Sequence, residues 1–421
     1  MAPLLATAVR KSARRLVPFL LLLYVLAFLD RVNIGYARQA FLRDTGLGEE
    51  AYAFGAGVFF VAYALLEIPS NMVLVRVGAR AWIGATMIAW GVISAAMMLA
   101  WSAPVFYSLR FLLGAAEAGF FPGMIWYLGS WFPAPARGGM FGIFYFGAPL
   151  AQIFGGPLSG LLLEMNGRGA LRGWQWMFLV EGALAVLVGA WTCTRLPNSV
   201  ANAHWLSAGE RGALQAELGA EEPATDAGEK GSLRGAGRGR AWRLGIIYAL
   251  IQMSFYGVAF YLPSQVSGLL GRSIGLFVGL VSSVPWICAL AAAYAVPRLA
   301  ARIGRGGATA GASLVVGAVG IALSATHNPA LGLTGLCLAA AGLIGAQPIF
   351  WTFPAGVFAG RGAAARIALI NSLGAVGGFL APNLKVLAEG ATGSSGAGSL
   401  ALAGATLLGA ILMMRERPAR P

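Results

Sequence analysis

The sequence predicts an all-α membrane protein, twelve transmembrane helices in two pseudo-symmetric six-helix bundles. Three observations predict it: an apolar, charge-poor composition, twelve apolar segments of helical length, and a nearly constant offset between matching residues of the two halves. Of 421 residues, 58% are hydrophobic and 11% charged, with a mean hydropathy of +0.73. Soluble domains carry about 25% charged residues. The 60 glycines suit helices that pack closely in lipid, where small residues let backbones approach.

The apolar segments cover residues 16–38, 52–77, 81–101, 104–128, 139–163, 174–196, 243–264, 275–299, 307–326, 330–352, 363–387 and 396–414. Connections are short except 197–242, which separates a first bundle (1–196) from a second (243–421). That connector holds Ser207 and Glu210 at capping-box spacing and ends in a Gly/Arg-rich stretch suited to a flexible linker. The chain opens like a signal peptide, basic then apolar. Asp30 and Arg31 stand where a small-residue cleavage site belongs, so the segment reads as a retained helix.

Basic residues orient the spans. Twenty-two of the 30 Lys and Arg, among them Arg10, Arg76, Arg80, Arg137, Arg298 and Arg302, fall on the side of both termini. The positive-inside rule makes that side cytoplasmic. The same distribution accounts for the net charge of +14 without nucleic acid, because the cations are scattered over separate loops. Cys193, Cys288 and Cys337 lie far apart in apolar spans, and His204 and His327 fall in connecting segments, so neither a disulfide framework nor a metal or cofactor site is expected. The loops hold no nucleophile constellation and no signalling domain, which argues against a membrane enzyme or sensor.

The repeat is legible at several places. Arg76 and Gly78 match Arg302 and Gly304, and Gly119 and Pro122 match Gly345 and Pro348. Gly147 aligns with Gly374 and Pro157 with Pro382. Two such bundles with a site between them at mid-membrane form a transporter architecture.

Buried charge locates the candidate site. The apolar run Leu16–Leu29 spans roughly 21 Å of helix, short of a hydrocarbon core about 30 Å thick. Asp30 and Arg31 are therefore carried into the membrane, at about 2.5–3.5 kcal/mol each. Arg110 and Glu117 lie two turns apart on one face of the fourth segment. An arginine forks onto a carboxylate, so Arg31 or Arg110 suits an organic anion. A carboxyl group in a low-dielectric site can cycle protons, and protonating Asp30 or Glu117 would release an arginine to the cargo. Asn33, Gln152, Tyr256, Gln347 and Asn371 are candidate polar contacts of the cavity, with helix packing as the competing reading. Glu67 is read as pairing with a helix end or gate, Arg76 and Arg80 as gating or structural cations, and Glu181 as a structural ion pair with Arg172.

Phe28, Asp30, Arg31, Asn33 and Gly35, then Glu67, Pro69 and Asn71, then Arg110, Gly114, Glu117, Gly119 and Pro122 stand in a recurring pattern. Gly155–Gly160, Gly173–Gly182 and Ile370–Gly374 extend it. On these residues the chain resembles the major facilitator superfamily, in particular the anion:cation symporter branch of tartrate, phthalate, hydroxyphenylacetate and sugar-acid permeases. Val75 and Ala375 depart from the pattern, where the family usually has an acid and an Asn. The resemblance implies a monomeric inner-membrane symporter with no cofactor, importing an organic carboxylate with protons by alternating access. It implies proton carriage by Asp30 and Glu117 and anion contact by Arg31 and Arg110. An exporter or antiporter on the same fold is the alternative; paired cavity arginines favour anionic cargo.

Overall fold

In the computed structural model, residues 3–221, 238–357 and 363–416 are described. Residues 222–237 of the expected linker, with Lys230 and Arg234, lie outside them, as do Arg361, Arg417 and Arg420. Among the described residues the regular structure is helical and there is no strand.

The first half comprises α1 (Pro3–Thr45), α2 (Glu49–Val77), α3 (Ala79–Ala96), α4 (Ala103–Glu117), α5 (Phe120–Gly129), α6 (Ala134–Tyr145), α7 (Gly147–Leu163) and α8 (Gly173–Arg195). After α9 (Ala208–Glu221) follow α10 (Arg238–Leu270), α11 (Leu276–Ile303), α12 (Gly306–Ser324), α13 (Pro329–Val357), α14 (Ala363–Thr392) and α15 (Ala397–Met414). They make twelve membrane spans, α4–α5 and α6–α7 each forming one broken span. The protein is thus a multi-pass membrane protein, and an even number of spans among the described residues puts residues 3 and 416 at one face, here termed proximal.

The two breaks are where the apolar pattern was continuous and the backbone chemistry was not. Pro149 has no N–H to offer the carbonyl of Tyr145, so the helix restarts at Gly147. At Gly119 an added Cβ would lie 1.8 Å from Ser70 Oγ, so α4 turns into α5 where it crosses α2. α1 runs well past its apolar core at both ends, which takes Arg10, Lys11, Arg14 and Arg15 into the helix.

Packing repeats between the halves. In the first, α1 packs on α7, α2 on α4 and α3 on α8; in the second, α10 packs on α14, α11 on α13 and α12 on α15. The halves meet along α7–α11, α2–α14 and α1–α10. Repeat-related glycines behave alike. Gly78 and Gly304 both follow a basic last turn with positive φ, 90° and 71°, a conformation that costs a residue with Cβ. Gly147 lies against the ring of Tyr24 and Gly374 against that of Tyr248, the added Cβ meeting each ring carbon at 2.2 and 2.4 Å.

At the distal face the halves are closely joined. A Cβ on Gly156 would lie 2.6 Å from Gly279 O, and one on Gly160 2.3 Å from Gly275 O. Ser283 Oγ donates to Ile153 O at 2.8 Å across the same contact. At the proximal face α9 docks on α1. Its predicted capping box is present: Glu210 N–H donates to Ser207 Oγ at 3.2 Å and Ser207 N–H to Glu210 Oε2 at 2.9 Å. Lys11 Nζ donates to the other oxygen of Glu210 at 2.7 Å. That bond, with the one from Ser207, holds the Glu210 carboxyl below the usual carboxylate range.

Candidate functional site

Between the halves lies a cavity of about 430 Å³. α1, α2, α5, α6 and α7 line it from one half, and α10, α11, α13 and α14 from the other. It reaches Gly139 and Gly142 on one side and Pro297 and Arg298 on the other, the parts of those spans nearest the proximal face. Its wall is aromatic, with Tyr24, Phe28, Phe60, Tyr63, Phe121 and Tyr145 facing Tyr248, Phe255, Tyr256 and Tyr294. Two cations, Arg31 and Arg298, line it, and among the described residues no carboxylate does.

Arg31 holds the centre. Nε and Nη2 donate to Glu117 Oε2 at 3.2 and 2.8 Å, while Nη1 donates to Tyr256 Oη at 3.2 Å. The guanidinium lies 4.9 Å from the ring centroid of Tyr63 and 5.2 Å from that of Phe59. Those ring faces are negative and favour a cation there. Glu117 is fully buried behind Arg31, and its Oε1 has no partner. A single ion pair thus separates a buried acid from the cavity.

The other predicted site residues divide into two groups. Tyr256, Gln347 and Asn371 line the cavity with Arg31. Gln347 Nε2 has no partner, while Asn371 Nδ2 donates to Glu67 Oε1 at 2.6 Å, a bond from α14 to α2 that joins the halves. Asp30, Asn33, Arg110 and Gln152 are 0–1% exposed and lie outside the cavity lining. Asp30 Oδ1 accepts from Ser94 Oγ at 2.7 Å, within the first half. Asn33 has no partner on either amide atom, nor Gln152 on Nε2. Arg110 reaches α2, Nε donating to Gly55 O at 3.3 Å and Nη2 to Ala56 O at 3.2 Å, with the ring centroid of Phe59 4.9 Å away.

The expected Arg172–Glu181 ion pair does not form. Arg172 instead starts α8, its N–H donating to Gln175 Oε1, while Glu181 Oε1 accepts from Ser159 Oγ at 2.8 Å. Glu181 lies two turns further into the membrane, out of reach of a residue at the helix start. Arg76 is exposed at the end of α2. Arg80 ties α3 to the segment after α8, its N–H donating to Asn198 Oδ1 at 3.0 Å and its Nε to Leu196 O.

Gln252, Arg298, Tyr24 and Tyr248 reach the cavity without having been singled out in the sequence. Arg298 reads from sequence as one loop cation among many. Tyr24 and Tyr248 carry a signal, because they stand near the repeat offset and each meets a repeat-related glycine. No group of three or more His, Cys, Asp or Glu able to hold a metal occurs among the described residues.

The sequence profile of the Major Facilitator Superfamily matches residues 20–382. The inner membrane transport protein RhmT of Escherichia coli K12 is 45% identical over 98% of this chain and 96% of its own. A putative tartrate transporter of Agrobacterium vitis is 40% identical over 96% of this chain and 93% of its own. The crystal structure of a bacterial homologue of the human lysosomal transporter Spinster, inward-facing and occupied, is similar in fold. Its TM-score is 0.63 at 17% identity, over 94% of this chain and 92% of that one.

Proposed function

Since the chain belongs to the Major Facilitator Superfamily, and is therefore a membrane transporter rather than an enzyme, we propose that it imports a small organic carboxylate together with protons. The observation that carries this reading is the charge of the cavity, lined by Arg31 and Arg298 and by no acid among the described residues. Such a chamber favours an anion and disfavours a cation. Relatives named as a tartrate transporter support the cargo class.

In the proposed cycle, a proton reaches Glu117 and removes the charge that holds Arg31. The guanidinium then forks onto the cargo carboxylate, keeping its bond to Tyr256. Arg298 gives a dianion its second cation, and Gln347 and Asn371 supply neutral donors. Asp30 is the second proton carrier, buried on the residue before Arg31. Arg110 holds α4 against α2, so that Glu117 stays behind Arg31. The first bundle (1–196) and the second (243–421) then rock about α7–α11 and α2–α14. The Glu67–Asn371 bond opens and closes with them. We place the protein in the bacterial inner membrane as a monomer, with the proximal face and both termini in the cytoplasm.

The test is uptake into proteoliposomes of radiolabelled tartrate, phthalate, hydroxyphenylacetate and sugar acids, with and without an inward proton gradient. At least one acid should accumulate only with the gradient. Uptake of none, or accumulation driven by an outward gradient, would replace the importer by the exporter reading.

A further inference from the structure

Arg31 is not the only arginine on its face of α1. Arg38 follows seven residues later, two turns and about 10 Å closer to the distal face. Opposite, α10 carries Tyr256 beside Arg31 and Tyr261 beside Arg38, whose guanidinium lies 4.9 Å from the Tyr261 ring centroid. The two helices therefore set an arginine beside a tyrosine at two depths, through a hydrogen bond to the hydroxyl at Arg31 and over the ring at Arg38.

The deeper level opens into the central cavity, and the outer one into a second cavity of about 360 Å³. Between them α1 and α10 touch. A Cβ on Gly35 would lie 2.7 Å from Phe260 O, and beside it Tyr52 of α2 meets the Tyr261 ring edge to face at 6.3 Å.

The second cavity is built for charge. Arg38, Lys385 and the carboxylate Glu389 line it, and Lys385 Nζ also lies 4.6 Å from the Tyr261 ring centroid. Lys385 is 7% exposed, unusual for a lysine. Polar groups of five helices surround them, including Ser264, Gln265 and Ser399, with His327 at the rim. Tyr261 is 2% exposed and its hydroxyl has no partner; Ser264 Oγ is likewise buried and unpartnered. Each cation is held by a carboxylate from its own side. Arg38 Nε donates to Glu49 Oε2 at 3.1 Å and its Nη2 to the other oxygen, and Lys385 donates to Glu389 one turn away. The arrangement matches that at Arg31 and Glu117, where a carboxylate of the protein occupies the place of a carboxylate ligand.

We propose that this distal cavity is a second binding site for a small carboxylate, taken up by Arg38 and Lys385 with the Tyr261 and Ser264 hydroxyls as donors. It captures the anion before the Gly35–Phe260 contact parts and admits it to Arg31. The inference rests on the proposed function for the class of cargo and for the order of the two sites. The presence of the distal site is testable without transport.

Ser395→Cys, on a background with Cys193, Cys288 and Cys337 replaced by alanine, gives an exposed thiol lining this cavity. The experiment follows its alkylation by a polar maleimide in purified protein, with succinate or tartrate as probe and uncharged succinamide as control. Either dianion should slow the reaction saturably and succinamide should not. Arg38→Gln and Lys385→Gln should each raise the half-protecting concentration about tenfold, the loss of one charge-assisted hydrogen bond. Glu49→Gln alters an exposed carboxylate and should lower that concentration by releasing Arg38. Arg31→Gln should leave it within about twofold, as expected of a separate site, even where transport is lost. No protection by either dianion would overturn the proposal. So would equal protection by sulfate at matched ionic strength, an unchanged value in Glu49→Gln, or a loss of protection in Arg31→Gln.

Discussion

Arg31 donates two N–H groups to one oxygen of Glu117 and leaves the other oxygen without a partner. Both residues sit on helices of the first half, and only Arg31 reaches the cavity. Cargo therefore meets the acid through the arginine.

Substituting Arg31 by Ala removes the cavity's central cation and leaves Glu117 as a buried, unpaired charge. Uptake at sub-saturating cargo should fall by about a hundredfold or more, from the two charge-assisted bonds lost. Arg31→Lys should recover part of the uptake but not the bidentate grip. Equal uptake by Ala and Lys variants would argue against a direct contact with the anion.

Arg110 differs, because its partners are backbone carbonyls of Gly55 and Ala56 rather than cavity space. Arg110→Ala opens a void between α4 and α2, at about 3–5 kcal/mol for a large buried side chain. Thermal unfolding in detergent should show a much lower midpoint for this variant than for the wild-type protein. An unchanged midpoint with lost uptake would assign Arg110 to the cargo instead of the frame.

The Asn371–Glu67 bond crosses between the halves. Asn371→Ala removes the donor and leaves Glu67 buried at the join. Cysteine pairs placed across α2 and α14 near the proximal face should then crosslink more slowly than in the parent. An unchanged crosslinking rate would mean that the bond does not hold the halves together.

Glycine spacing gives a stability contrast. A Cβ at Gly114 would lie 2.0 Å from Phe59 O, whereas one at Gly404 meets nothing within 4 Å. Gly114→Ala should destabilise by about 1–3 kcal/mol, and Gly404→Ala should stabilise by about 0.5–1 kcal/mol, the helical cost of glycine. Unfolding midpoints of the two variants test the sign of each.

At the proximal face the folded state holds the Glu210 carboxyl below its ordinary range, mainly through Lys11. Such a group stabilises the fold above its unfolded value, about pH 4.3, and the contribution is lost as pH falls through the folded value. The midpoint difference between wild type and Lys11→Met should be constant from about pH 5 to 8 and vanish at lower pH. A difference that grows on acidification would contradict the pairing.

The spans are legible because hydropathy and helix length act locally: each of the twelve segments falls on one span, although α1 runs well past its segment at both ends. The breaks at Gly119 and Pro149 are not legible, since one depends on Ser70 of a neighbouring helix and the other on a single missing N–H. At the site, sequence singled out the buried charges but not their partners. Arg110 and Glu117 share a helix face, yet only Glu117 meets Arg31, because side-chain reach and the position of α2 decide between them. Glu181 was matched to Arg172 by proximity in the chain, while its partner, Ser159, came from α7. Arg298 reads from sequence only as a loop cation, because membership of a cavity is a property of the packed helices.

The most direct test of the central claim follows protons with a trapped pH dye in proteoliposomes while a transported carboxylate is added outside. Wild-type protein should acidify the lumen as cargo enters, and Glu117→Gln should not, while still exchanging labelled for unlabelled cargo. Luminal acidification by Glu117→Gln at the wild-type rate would show that Arg31 and its buried partner do not couple cargo to protons.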